Sequence, residues 1–344
     1  MKGFLLLAAI IVYSTINAQE VRPMRDDVGY CWNVAQMEKL VKYLQSIENQ
    51  VVEPNIIAGI SPHDDYLYAA RVYFPLFKTI KAKEAVIFGV THGTVRKEID
   101  DPQNILLLDE FREWRGPRKN IGISPLREFI KNRLDTSYFK VNNKAHELEH
   151  SVEGLLPFLQ YFNPDIKITP IMVTAMQFER MEEVSEKLAG IIAKYIKENT
   201  LVLGKDIIFL IASDANHYGK DFNNIPFGED SISHQKATEQ DRRIANDYLK
   251  DVVQPETIKK FTDEMKNVVW CGKFSVPFGL LTAEKTVEIV SEKKLKGKIL
   301  RYSDTFTEGV LPIKGTELGT TAPFSLKHWC GFLSAVFYIE PAGK

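Results

Sequence analysis

Charge of neither sign is in excess in this chain of 344 residues: 44 Lys and Arg stand against 45 Asp and Glu, a formal net charge of −1. Nucleic acid and anionic membrane surfaces are bound through a basic excess or a basic cluster, so the balance removes the electrostatic case for either partner. Beyond the first twenty residues no apolar run approaches the about 20 residues that span a bilayer, which excludes an internal transmembrane helix. No Gly-x-Gly-x-x-Gly follows a candidate strand, and neither a Walker A pattern nor a Gly-x-Ser-x-Gly elbow occurs. Dinucleotide binding, P-loop phosphate binding and serine hydrolysis lose their usual supports. Gly- or Ser-rich tracts and internal repeats are also missing, so nothing marks a linker and one domain is expected. Cysteine is scarce. There are three, and an odd count leaves at least one thiol outside any internal disulfide.

What is present begins at the amino end. Lys2 precedes an apolar run over 4–13, and Ile16-Asn17-Ala18 supplies a small-residue exit. This pattern predicts a secretory signal peptide over 1–18, cleaved after Ala18, and a secreted or periplasmic mature protein without stable membrane insertion. No Cys follows the cleavage point to carry a lipid. Such a compartment permits disulfides, so Cys31 and Cys330, near the two ends of the mature chain, are either bridged or two buried thiols.

Short β-branched runs over 55–60, 85–90, 167–173, 206–212, 298–302 and 331–339 read as strands. Amphipathic stretches over 34–47, 67–80, 125–134, 152–161, 181–197, 235–250, 255–265 and 276–292 read as helices. The alternation predicts an α/β fold, with a mostly parallel central sheet flanked by helices. Ligands in such sheets sit beyond the carboxyl ends of the strands.

Chemistry-bearing residues gather at those ends. Ser61-Pro62-His63-Asp64-Asp65-Tyr66 follows the first strand, Thr91-His92-Gly93 the second, and Ser213-Asp214-Ala215-Asn216-His217-Tyr218 the fourth. Three of the seven histidines thus fall at three strand ends, where imidazoles can converge on one metal. Asp214-x-x-His217 read as one turn sets a carboxylate beside an imidazole, able to orient it or share the metal. Cys271, in Trp270-Cys271-Gly272, is either a buried small residue or, as thiolate, a soft ligand favouring Cu(I), Zn or Fe. A second cluster, His146-Glu147-Leu148-Glu149-His150, matches the zincin pattern literally. Residues 142–144 read as a loop, however, and a helix starting at Ser151 with Glu153 in its first turn suits the following apolar run better. That places His150 at a helix mouth over the site.

Taken in order, these motifs resemble the MEMO-like proteins. They are Pro62-His63-Asp64-Asp65-Tyr66, Gly89-Val90-Thr91-His92, Glu149-His150-Ser151-Val152-Glu153, Leu156-Pro157-Phe158, Ser213 to Gly219 and Cys271-Gly272, with Val28-Gly29-Tyr30 at the opening. The family includes AmmeMemoRadiSam system protein B and is related to the class III extradiol ring-cleavage dioxygenase B subunits. The resemblance spans roughly residues 22–340. It implies a single extradiol dioxygenase-like domain with a metal held by His63, His92 and Cys271. It further implies Asp214 in the pocket, His217 as general acid/base and His150 as a substrate-positioning residue. The implied protein is a non-haem Fe(II) or Cu oxidoreductase acting on a small molecule, aromatic compounds being the class the relatives suggest. Zn would instead indicate a hydrolase with His217 or Glu149 as base. A non-catalytic metal, redox or peptide-binding protein using the same pocket is the alternative. Two departures stand out: Cys271 replaces the glutamate of the dioxygenases, and Asp64-Asp65 replaces the usual Ala-Gly. Those two carboxylates either point inward and join the ligand set or form a solvated turn.

Overall fold

A strand buried on both faces must be apolar along its whole length, whereas a strand with one wet face alternates. Both patterns occur in one sheet here. The computed structural model describes residues 20–52 and 55–339, so the predicted signal peptide over 1–18 lies outside the described residues. The described residues form β1 (Val21–Arg22), β2 (Ile56–Ser61), β3 (Glu84–Val90), β4 (Leu106–Leu108), β5 (Glu113–Trp114), β6 (Ile121–Gly122), β7 (Phe139–Val141), β8 (Lys167–Val173), β9 (Ile207–Ala212), β10 (Asp214–Gly219), β11 (Asp251–Val252), β12 (Leu295–Asp304) and β13 (His328–Ile339). The main sheet runs β11-β12-β13-β2-β9-β3-β8-β4-β7, with β10 paired to β13; β1, β5 and β6 form a small separate sheet.

The centre, β2-β9-β3-β8, is parallel as expected. Every residue of β2 and β9 is buried. The flank β11-β12-β13-β2 is antiparallel, and β4 runs antiparallel to β8, so the sheet as a whole is mixed. β12 carries a partly exposed face, which is the condition under which antiparallel strands form flanks. Successive residues of the central strands feed two cores. Val86, Phe88, Phe209 and Ile211 pack on one side with Val184, Leu188 and Phe278. Ala85, Ile87, Ile208 and Leu210 pack on the other with Leu40, Tyr66, Phe74 and Phe158.

The helices covering these faces follow their sequences. Val34–Ile47 is capped by the Asn33 side chain, which accepts from the Ala35 N–H at 2.8 Å, and buries Met37, Leu40, Val41 and Leu44 as one stripe. Tyr66–Phe77 is apolar almost throughout and is buried accordingly. Phe178–Glu198 and Ser275–Ser291 pack together on the opposite face. Residues 142–144 differ from the loop reading: Asn142 caps a helix over Asn143–Leu148. The stretch 152–161 is also divided, into a 3₁₀ turn Glu153–Leu155 and the helix Leu156–Phe162. Ser151 caps neither, because its hydroxyl is engaged by the Val90 backbone across the sheet edge. Among the described residues no helix is long and apolar enough to cross a membrane. Cys31 and Cys330 are two buried free thiols, not a bridge.

Candidate metal centre

β2, β3 and β9 are parallel neighbours, so their carboxyl ends lie at one edge of the sheet, and each continues directly into a candidate residue. His63 follows β2, His92 follows β3 as the residue preceding the helix Gly93–Glu98, and Asp214 opens β10 after β9. His150 enters from the turn after Asn143–Leu148, and Cys271 from the turn before Ser275–Ser291.

His63 is fully buried at the middle of the group. Its Nε2 lies 3.4 Å from Cys271 Sγ and 3.3 Å from Asp214 Oδ2. The Asp214 carboxylate accepts the His63 backbone N–H at 2.9 Å, and Cys271 Sγ accepts the Asp214 N–H at 3.0 Å. The His63 Nδ1 is buried without a hydrogen-bond partner. On its other side the rings of His92 and His150 stack with centroids 4.8 Å apart, and lie 5.2 and 5.5 Å from the His63 ring. Donor atoms therefore form two triads sharing His63: with His92 and His150, and with Asp214 and Cys271.

Charge is arranged around these rings with care for orientation. His92 Nδ1 meets Glu149 Oε1 at 2.8 Å, and the other Glu149 oxygen accepts the His92 backbone N–H at 2.9 Å. A carboxylate only accepts, so Nδ1 carries the proton and Nε2 is left with its lone pair. Burial opposes the charge on both partners. The pairing overcomes it, holding the Glu149 carboxyl well below the usual range and raising His92. Burial, with the neighbouring imidazoles, depresses His63, and brings His150 and His217 down to about 4, so these are neutral at pH 7. The His217 Nδ1 faces the Ala215 carbonyl at 3.2 Å, which leaves Nε2 as its proton-accepting nitrogen. Burial also lifts Asp214 to about 7 and the Cys271 thiol well up.

A profile of the Memo-like protein family matches residues 30–310. The chain belongs to that family. It is 29% identical over 202 residues to a MEMO1 family protein of Pyrococcus horikoshii, covering 56% of this chain and 64% of the relative. For a MEMO1 family protein of Methanosarcina barkeri the figures are 29% over 171 residues, 49% and 57%. Longer matches at 27% identity reach the MEMO1 family proteins of Methanococcoides burtonii, covering 73% of this chain and 81% of the relative, and Desulfurococcus amylolyticus, at 83% and 84%. The chain thus spans less than two thirds of the first two relatives.

In this Memo-like chain two sequence readings change. Asp214 and His217 do not share a helical turn; they lie on β10, with a register shift between them against β13. Asp214 consequently orients His63, and His217 is set by backbone, its N–H bonded to Val269 O at 2.8 Å. Asp64 and Asp65 are not a solvated turn either. Asp65 is buried and accepts from the Thr321 N–H and hydroxyl at 2.6 and 3.0 Å, while Asp64 faces a cavity and belongs to neither donor triad. The zincin reading fails as expected: His146 sits inside its helix, fully buried with Nε2 on the Leu107 carbonyl, far in role from His150 outside the helix.

The rings lie between two cavities. The larger, about 570 Å³, is bordered by His63, His92, His150 and His217 and by five aspartates, among them Asp26, Asp64 and Asp214. Its amino-terminal wall is fixed by Arg22, which sequence reading missed. Arg22 is buried, stacks on Trp114 at 4.7 Å, and donates to the carbonyls of His146 at 2.9 Å and Glu149 at 2.6 Å. It also pairs with the buried Glu153, whose carboxylate accepts the N–H groups of Arg25 and Asp26 at 2.8–2.9 Å. No local signal could have exposed this pairing, since the partners are over a hundred residues apart. The smaller cavity, about 260 Å³, reaches His92, His217 and Cys271 from the other side.

Proposed function

We propose that the protein is a transition-metal oxidoreductase, with iron or copper held by His63, His92 and Cys271, acting on a small organic molecule. The observation that carries this reading is the His92–Glu149 pair: a buried carboxylate fixes one imidazole nitrogen and presents the other, as the outer partners of metal-binding histidines do. The donor set supports it. Imidazoles on one side of His63 and a thiol on the other, with a buried unpartnered nitrogen on His63 itself, suit a soft or borderline transition metal better than Mg or Ca. Such a metal would supply electron transfer and activation of O₂.

The remaining residues have roles that follow from their own contacts. Asp214 holds His63 through its backbone N–H and ring. His217, neutral with Nε2 free to accept, takes a proton from a bound substrate. His150, half-exposed and stacked on His92, presents a ring face on which a planar substrate can lie. Cavities of about 570 and 260 Å³ on the two sides of the rings give a substrate room, which favours catalysis over closed metal storage. Burial keeps the Cys271 thiol protonated, so metal uptake releases its proton and weakens in acid.

The test is elemental analysis of protein from its native compartment, followed by O₂ uptake with catechols. Stoichiometric iron or copper, lost in His63→Ala and altered in identity in Cys271→Ser, is the expected result. Protein that takes up no redox metal, or a His63→Ala variant indistinguishable from the parent, overturns the reading; zinc with no response to O₂ would point to the hydrolase instead.

A further inference from the structure

The two cavities flanking the rings differ in sign. The larger is walled by carboxylates, whereas the smaller has no Asp or Glu in its lining and carries two cations, Arg96 and Lys273. Its body is apolar, formed by Val173, Val268 and Phe274 among others, and it ends on His92, His217 and Cys271. Among the described residues neither cation has a close, buried carboxylate partner. The Arg96 Nε is buried without a hydrogen-bond partner, and the nearest carboxylate, Asp101, is 3.8 Å away and half-exposed. The Lys273 ammonium lies 5.1 Å over the Phe274 ring and meets no carboxylate among the described residues. Arg96, held only by a long pair to the half-exposed Asp101, and the unpaired Lys273 converge on one apolar pocket and repel each other, an arrangement that a bound anion relieves.

We propose that this smaller cavity binds a small carboxylate with an apolar body, its carboxylate held by Arg96 and Lys273 and its far end directed at His92, His217 and Cys271. Arg96 supplies the planar fork that matches a carboxylate, and Lys273 adds a point charge. The apolar walls select against polyols and peptides. That the far end is the reacting end rests on the metal-centre reading above; the binding of the carboxylate does not.

Binding is therefore measured apart from activity, by fluorine NMR titration of the full-length chain with 4-fluorobenzoate, 4-fluorobenzyl alcohol and 4-fluorobenzylamine. The benzoate is expected to bind best, and Arg96→Gln or Lys273→Met to weaken it about tenfold or more while leaving the alcohol unchanged. Lys273→Glu is expected to invert the preference toward the amine, a result that a misfolded protein cannot give. His63→Ala, outside this lining, should lose metal yet keep benzoate affinity, which separates failure of the metal reading from failure of this one. Equal binding of the three probes, or a benzoate affinity indifferent to Arg96 and Lys273, refutes the proposal.

Discussion

Glu149 shows how one buried carboxylate sets the chemistry of a neighbour. It accepts from the His92 ring, from the His92 and His150 N–H groups and from the Ser151 N–H, so four donors hold it in a single orientation. Glu149→Gln keeps the shape but removes the charge that fixes the His92 tautomer. A loss of metal affinity of about 10- to 100-fold is expected, read by chelator competition with the melting temperature as a control. Asp241 carries the opposite electrostatic burden. It accepts from Trp270 Nε1 at 2.8 Å and the Tyr302 hydroxyl at 2.6 Å, yet burial pushes its carboxyl from 3.8 up to about 7. The folded state then binds this proton more tightly than the unfolded chain does, so the contribution of Asp241 to stability is full below about pH 4 and is lost as pH rises towards 7. Urea midpoints of Asp241→Asn measured between those values should decline less than those of the parent; parallel declines would refute the assignment.

At the scale of elements, the turn over 270–274 places the thiol. A Cβ on Gly272 would come within 2.1 Å of Ser213 Oγ and 2.3 Å of Ser213 Cβ, so only glycine allows this turn to lie against the end of β9. Gly272→Ala should cost about 1–3 kcal/mol by overpacking and move Cys271 away from His63. The combined readout is a lower urea midpoint with an altered metal charge-transfer spectrum; a spectrum unchanged at reduced stability would show that the turn does not position the thiol. Legibility also varied by element. Residues 34–47 and 167–173 form the helix and strand that their periodicity predicts, because stripe and two-sided burial are written in those residues alone. Residues 214–219 read as a loop with a helical Asp-x-x-His spacing, yet they pair with β13, since a distant strand offers backbone partners that no local pattern reveals.

The whole molecule is tied at its amino-terminal edge by Arg22 and Glu153. Both are buried, and together they join residues 22–26 to the segment that carries Glu149 and His150. Arg22→Met leaves the Glu153 carboxylate uncompensated and should destabilise the fold by about 3–5 kcal/mol in denaturant titration. Adding Glu153→Gln should recover part of that loss; no recovery would show that packing of the Arg22 stem, not the charge, matters. By itself the sequence determined the α/β class, the Memo-like family and the residues at the strand ends, because periodicity and short ordered motifs are local. The tertiary structure decided which of those residues meet. It put Asp214 on His63 and not on His217, drew Asp65 into the interior, enlisted Arg22, and set an acidic and a basic cavity on opposite sides of one cluster. Those outcomes depend on strands and loops brought together from across the chain, and contacts of that kind leave no trace in the spacing of neighbouring residues.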